Sequence, residues 1–193
     1  MSITPQTTIT AFELYMDDTS ELSTDEELLL YKRVFNTIWL DRPWEFAKKV
    51  GTGTTDGTTY IALPSDFASI FNSNNYTDET SHWSDRRQYS FQSNVCYVDI
   101  VNLRLYFTVA PASGLAVEFD YIYIPTIASV ATTIPVPLAF ENALNKAIFH
   151  GMCVDSFIIQ QSDKAKSYQS ENQSKMNNAM KDLAFGNAQL IQM

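Results

Sequence analysis

A change of hydrophobic period at a single proline constrains this chain more than any other feature. Upstream of Pro43, Leu28, Tyr31, Phe35, Ile38 and Trp39 recur at three- and four-residue steps, with Leu29, Leu30 and Val34 widening the stripe and Lys32, Arg33, Asn36 and Thr37 falling elsewhere. That is the pattern of an amphipathic helix with one face against a core. Its start is marked twice, by Ser23 with Glu26 and by Thr24 with Glu27, two overlapping capping-box pairs. Its end is set by Pro43, because the residue before a proline is pushed out of the α region. From about residue 49 to 125 the helical period vanishes, glycine and threonine rise, and β-branched and aromatic residues alternate with polar ones.

That middle third predicts strands over 58–63, 87–91, 95–100, 104–109 and 116–124. The last is the clearest, with Val117, Phe119, Tyr121 and Tyr123 alternating against Glu118, Asp120, Ile122 and Ile124. Residues 51–57, rich in glycine and threonine, read as a polar loop leading into the first strand, and Pro111 with Gly114 marks a turn joining the last two strands as a hairpin. Residues 71–85 form a long polar stretch of the kind that carries partner contacts. Helical character returns after Ile134-Pro135-Val136-Pro137, since proline near a first turn is preorganised for helix. One helix is expected over 138–160, with Phe140, Leu144, Ala147, Ile148 and Met152 on one broad side. A second, more polar helix is expected from Ser162 to Phe185, closed by Gly186, with residues 187–193 as an apolar tail. Residues 8–16 fit both a helical and a strand period in part, and a short helix is the favoured reading. The expected class is α+β: a helical bundle from residues 1–48 and 126–193, with an inserted antiparallel β subdomain at 49–125.

With 193 residues, 45% of them hydrophobic, the chain is able to bury a sizeable core. A formal net charge of −9 argues against attraction to nucleic-acid phosphates as the main binding mode. It suits solubility, or a channel wall that does not hold passing DNA. Cys96 and Cys153 lie in apolar contexts and read as reduced core residues, a single disulfide between them staying open at this level. The polar N-terminus lacks a secretory apolar region and no run of about 18 apolar residues exists, so cytoplasmic assembly without a membrane anchor is expected.

Reactive chemistry does not assemble from these residues. His82 and His150 sit in unrelated contexts, and His150 with Cys153 and Asp155 lacks a further ligand at any metal-site spacing, so a structural histidine is favoured. The segment from Gly51 to Gly57 lacks the Gly-Lys-Ser/Thr ending of a phosphate cradle and precedes a strand. No nucleophile elbow occurs. The acidic cluster Asp17, Asp18, Glu21, Asp25, Glu26 and Glu27 is explained by the helix N-terminus it crowds, as solvated caps. No catalytic residue, metal or cofactor is expected, and no enzyme. Trp39, Pro43, Trp44 and Phe46 read as a structural joint, whereas Trp83, with Tyr76 in the same polar stretch, has the character of an interface anchor.

The opening from Leu14 to Ser23, the capped helix, the turn Arg42-Pro43-Trp44-Glu45, the run Tyr60-Ile61-Ala62-Leu63-Pro64-Ser65-Asp66-Phe67, and the C-terminal pair Phe149-His150-Gly151 and Ala165 with Tyr168 occur together in order. In that order they resemble the head-tail connector, or adaptor, proteins of tailed bacteriophages. The resemblance implies a structural virion protein located in the neck and assembled in the host cytoplasm. It implies a homo-oligomeric ring, commonly of twelve subunits, docked under the portal protein and linking it to the next neck or tail protein while genomic DNA passes through. Small adaptors of that kind are all-helical, so the β region is a departure. Trp83, Tyr76, Leu190, Ile191 and Met193 are the expected partner contacts, the last three docking into the portal. A neck stopper or tail terminator is the nearest alternative; a ligand-binding module or small hydrolase is the alternative of another class.

Overall fold

The computed structural model describes residues 2–16, 22–71, 88–91, 94–160 and 163–191, with side chains at 2–16, 22–71, 96–156 and 169–186. Four helices and three small antiparallel sheets make it α+β, the class expected. The chain divides into two compact units, residues 1–46 with 125–193, and residues 47–124.

The first unit is built on helices. α1 runs Pro5–Met16, α2 Thr24–Trp39, α3 Leu138–Gln160 and α4 Asp163–Ile191. A two-stranded ribbon of β1 (Ser2–Ile3) and β9 (Ile134–Pro135) pairs Ile3 with Ile134 and ties the N-terminal strand to the approach to α3. Both isoleucines are buried. The sequence patterns give the core directly: Ile9 and Phe12 of α1, Leu30, Tyr31, Val34, Phe35, Ile38 and Trp39 of α2, Phe140, Leu144, Ile148 and Met152 of α3, and Leu183 of α4 are all buried. Ser23 caps α2, and both halves of a capping box with Glu26 are present. Two expectations about α2 fail. Leu29 does not widen the buried stripe, being 67% exposed, because it lies on the flank opposite the core. Glu27 is no solvated cap, being only 3% exposed.

α4 also departs from expectation. Gly186 does not end it, and the helix continues to Ile191, so residues 187–191 are helix and not a tail. Gly186 instead sits close against α3, where a Cβ would lie 3.0 Å from the Phe140 ring. Gly151 plays the same part in α3, where a Cβ would come within 2.5 Å of Val34. Small residues at these points let the helices approach closely.

The second unit is two antiparallel sheets. β2 (Lys48–Thr54), β8 (Ala116–Tyr123) and β4 (Phe67–Ile70) form one in the order β2-β8-β4. β3 (Tyr60–Ala62), β7 (Arg104–Phe107), β6 (Asn94–Asp99) and β5 (Gln88–Phe91) form the other in the order β3-β7-β6-β5. β2 corrects the sequence reading: Gly51 and Gly53 belong to a seven-residue strand paired along its whole length with β8, not to a loop. The cause is packing. A Cβ on Gly51 would stand 2.5 Å from the Phe119 ring, and one on Gly53 would stand 3.1 Å from Ile61. The glycines thus leave room for neighbours, and the real turn follows at Gly57, where φ is +88°.

The expected hairpin of β7 and β8 is a second correction. These strands lie in different sheets, and residues 108–115 carry the chain between them. Thr55 holds that crossing: its hydroxyl donates to the Ala112 carbonyl at 2.6 Å, its amide donates to Leu115 O, and its carbonyl accepts from the Gly114 amide at 2.7 Å. Gly114 has φ +85°, a backbone angle that glycine adopts without strain.

Candidate functional site

The aromatic residues expected at the joint come together in the first unit. Trp39 stacks on Phe35 at 4.9 Å and meets Phe46 edge-on at 5.3 Å, Trp44 stacks on Phe46 at 5.6 Å, and Phe46 reaches Phe140 at 4.9 Å. The Trp44 indole N–H donates to the Ile38 carbonyl at 2.9 Å, so burial does not leave the indole nitrogen unpaired. That bond also occupies a carbonyl in the last turn of α2. Pro43 itself is exposed on the turn.

Of the expected partner contacts, Trp83, Tyr76 and Met193 lie outside the described residues, as do His82, Asp17, Asp18 and Glu21. Leu190 and Ile191 fall in the last turn of α4.

His150 is held within a polar relay. Its Nδ1 lies 2.9 Å from Asn172 Oδ1, and Asn172 Nδ2 donates to the Tyr15 hydroxyl at 3.3 Å, joining α3, α4 and α1. Because the Asn172 amide nitrogen is already a donor to Tyr15, its oxygen accepts and His150 carries the proton on Nδ1. Burial pulls the His150 pKa below its ordinary value; the Asn172 bond opposes this, and Lys175 and Lys146 reinforce it. Among the described residues no group of three or more His, Cys, Asp or Glu could hold a metal ion. Cys96 and Cys153 are both free and buried, and burial pushes their pKa values up, to about 11 and about 12, away from reactive thiolate.

Two further charged groups escaped the sequence reading. Burial, then the Glu13 charge and a hydrogen bond with Glu13, push Glu27 up to about 7. Only the fold reveals that pair, because fourteen positions separate the two glutamates. In the second unit Lys49 Nζ lies 2.6 Å from Asp66 Oδ2 and 3.9 Å from the centre of the Tyr123 ring, while the Tyr121 hydroxyl donates to Asp66 Oδ1 at 2.9 Å. Lys49 is on β2, the tyrosines are on β8, and Asp66 precedes β4, so one carboxylate laces the three-stranded sheet together.

The surface with the character of a binding site is a cleft of about 550 Å³ in the helical unit. Val34 and Ile38 of α2, Gly151 and Val154 of α3, and Met176 and Met180 of α4 make its apolar lining. Asp41, Arg42, Asp155, Gln173, Asn177 and Lys181 supply its polar positions. Asp155 is already engaged by Arg33 at 2.8 Å, and Asp41 by Arg42 at 2.9 Å. An apolar floor with polar sides and two flexible methionines is chemistry for receiving a side chain or helix, with no group poised to react.

The described residues of this α+β chain thus hold an apolar-floored cleft, two buried thiols and a histidine engaged by Asn172. The family model for the SU10 adaptor protein matches residues 6–191. The chain therefore belongs to that family, one of phage head-tail adaptors. No curated protein matches it. None of the helices described is long and apolar enough to cross a membrane.

Proposed function

We propose that the protein is a structural component of the phage neck, a non-enzymatic adaptor that assembles as a homo-oligomeric ring, commonly of twelve subunits, beneath the portal. It joins the portal to the next neck or tail protein and lets genomic DNA pass without sequence-specific binding. The observation that carries this reading is the family match over nearly the whole chain, helices and β unit alike. The net charge of −9 supports the passive channel, since an acidic wall repels phosphates. On this reading Trp83 and Tyr76 face a neck or tail partner, and Leu190, Ile191 and Met193 reach the portal.

Mixing the purified chain with portal rings and imaging the product by electron microscopy tests the proposal. An added ring below the portal is expected; a portal that keeps its original outline overturns it. Deleting residues 187–193 should abolish attachment, and retention of the shortened chain on immobilised portal would remove the C-terminal contact from the scheme.

A further inference from the structure

We propose that Asp56 and Gly57 form a self-modification site, at which the backbone nitrogen of Gly57 attacks the Asp56 side-chain carboxyl, and that Thr58 holds this reaction in check. The inference stands apart from the adaptor reading. Of the six glycines in the chain, Gly57 alone follows an aspartate or asparagine. Attack on the preceding side chain needs an unshielded nitrogen, and glycine has no Cβ to crowd it. Both residues are exposed, in the turn between β2 and β3. The turn itself fixes glycine there. Its φ of +88° lies in the left-handed region, whereas a Cβ would meet nothing nearer than the Ser113 Cβ at 3.9 Å. Backbone angle, not lack of space, excludes other residues, so the demand that shapes the turn also leaves a nitrogen open to attack.

Asp56 Oδ1 accepts the Thr58 amide N–H at 2.9 Å and the Thr58 hydroxyl at 2.6 Å. Reaching residue 58 from residue 56, the carboxylate closes a ring over the Gly57 peptide unit and so lies alongside the nitrogen that would attack. The same bonds restrain it. In the reaction the Gly57 nitrogen bonds to Asp56 Cγ and one Cγ–O bond breaks. The amide proton leaves with the carboxyl hydroxyl as water, and a cyclic succinimide remains. Water then adds to either ring carbonyl. Opening at Cγ restores aspartate; opening at the backbone carbonyl carbon leaves the chain running through Cβ and Cγ, an isoaspartyl link with its α-carboxylate free. Only a protonated carboxyl releases water in this way, and the hydrogen bonds from the Thr58 hydroxyl and amide hold the Asp56 pKa below its ordinary value. The Thr58 hydroxyl has a second acceptor, the Tyr60 carbonyl at 3.0 Å, but its shorter bond goes to the charged oxygen. An isoaspartyl link lengthens the backbone by one carbon beside Thr55, whose hydroxyl, amide and carbonyl pin residues 112–115. Modification therefore loosens the crossing between the two sheets.

Ageing the folded full chain, then mapping its peptides and labelling them with an isoaspartate-specific carboxyl methyltransferase, tests the site. Isoaspartate should accumulate slowly at position 56 in the unaltered chain. It should accumulate about tenfold faster in Thr58→Val, which removes one hydrogen bond to the charged carboxylate. Thr58 is exposed and valine keeps its branched shape, so the turn is kept. Asp56→Glu, which would have to close a larger ring, should accumulate none at that position. Asp56→Asn should close the same ring with loss of ammonia, and hydrolysis then gives a mass gain readable on the intact chain. No isoaspartate at position 56 in T58V overturns the site, and equal rates in T58V and the unaltered chain overturn the restraint. Should T58V fail to fold, D56N carries the test: an unchanged mass after the same incubation overturns the site.

Discussion

At the scale of single residues, several side chains are set by what presses on them. Gly51 is the sharpest case, because the Phe119 ring occupies the space a Cβ would need. Gly51→Ala should destabilise the β unit by about 1–3 kcal/mol, read as a lower denaturant midpoint at constant slope. Tyr31 is the opposite kind of case. Its ring is fully buried and its hydroxyl has no hydrogen-bond partner among the described residues, so burial alone pushes its pKa up. Tyr31→Phe should therefore be neutral or stabilise by about 1 kcal/mol, and a clear loss of stability would show that the hydroxyl is paired. Glu27 sets a pH dependence. Its folded pKa is raised from 4.5 to about 7, so the folded chain holds a proton that the unfolded chain releases, and the stability this gives below pH 4.5 is lost as pH rises to about 7. Glu27→Gln should flatten that decline in a series of melting temperatures between pH 4.5 and 7.5.

At the scale of elements, strands and helices differ in how openly the sequence declares them. α3 is legible at both ends and α2 at its capped start, because their apolar stripes and the Ser23 cap are local facts. β2 is not. Its glycines carry the composition of a loop, and their reason lies in the Phe119 ring, distant in sequence, and in Ile61 on the next strand. The end of α4 is hidden in the same way, since Gly186 has the look of a stop signal until Phe140 is seen against it. The three-stranded sheet depends on a contact of this long-range kind. Asp66 accepts from Lys49 and from Tyr121; burial works against its charge, but these two partners hold its pKa below the usual carboxylate value. Its contribution is therefore present at neutral pH and lost as pH falls through its lowered pKa. Asp66→Asn should cost about 1 kcal/mol or less at pH 7, because Lys49 is partly solvated, and should remove that acid sensitivity from the melting curve.

At the scale of the whole molecule, the family places the chain among phage adaptors, and its formal net charge of −9 opposes attraction to nucleic-acid phosphates. The assembled protein should leave duplex DNA unshifted on a native gel even at about 50 mM salt, where phosphate contacts are strongest. A shift that disappears at higher salt would reveal a basic surface made only by assembly. The candidate site was legible only in part. Val34, Ile38 and Val154 are buried and yet border the cleft beside the half-buried Met176 and Met180, and nothing in the spacing of these plain apolar positions tells which edge of the core stays open. That depends on how α2 meets α3 and α4, which lie far from it in the chain, and period alone cannot reveal it.

The sequence by itself determined the α+β class, the capped start of α2 and the whole of α3, since these follow from periodicity, capping and proline, which act over one or two turns. Only the tertiary structure decided that β2 is a strand, that β7 and β8 part into different sheets, that Leu29 faces outward, and that Glu27 is buried beside Glu13. Those outcomes turn on how parts of the chain that are separate in sequence pack against one another. Close packing resolves that question, and local propensity carries no information about it.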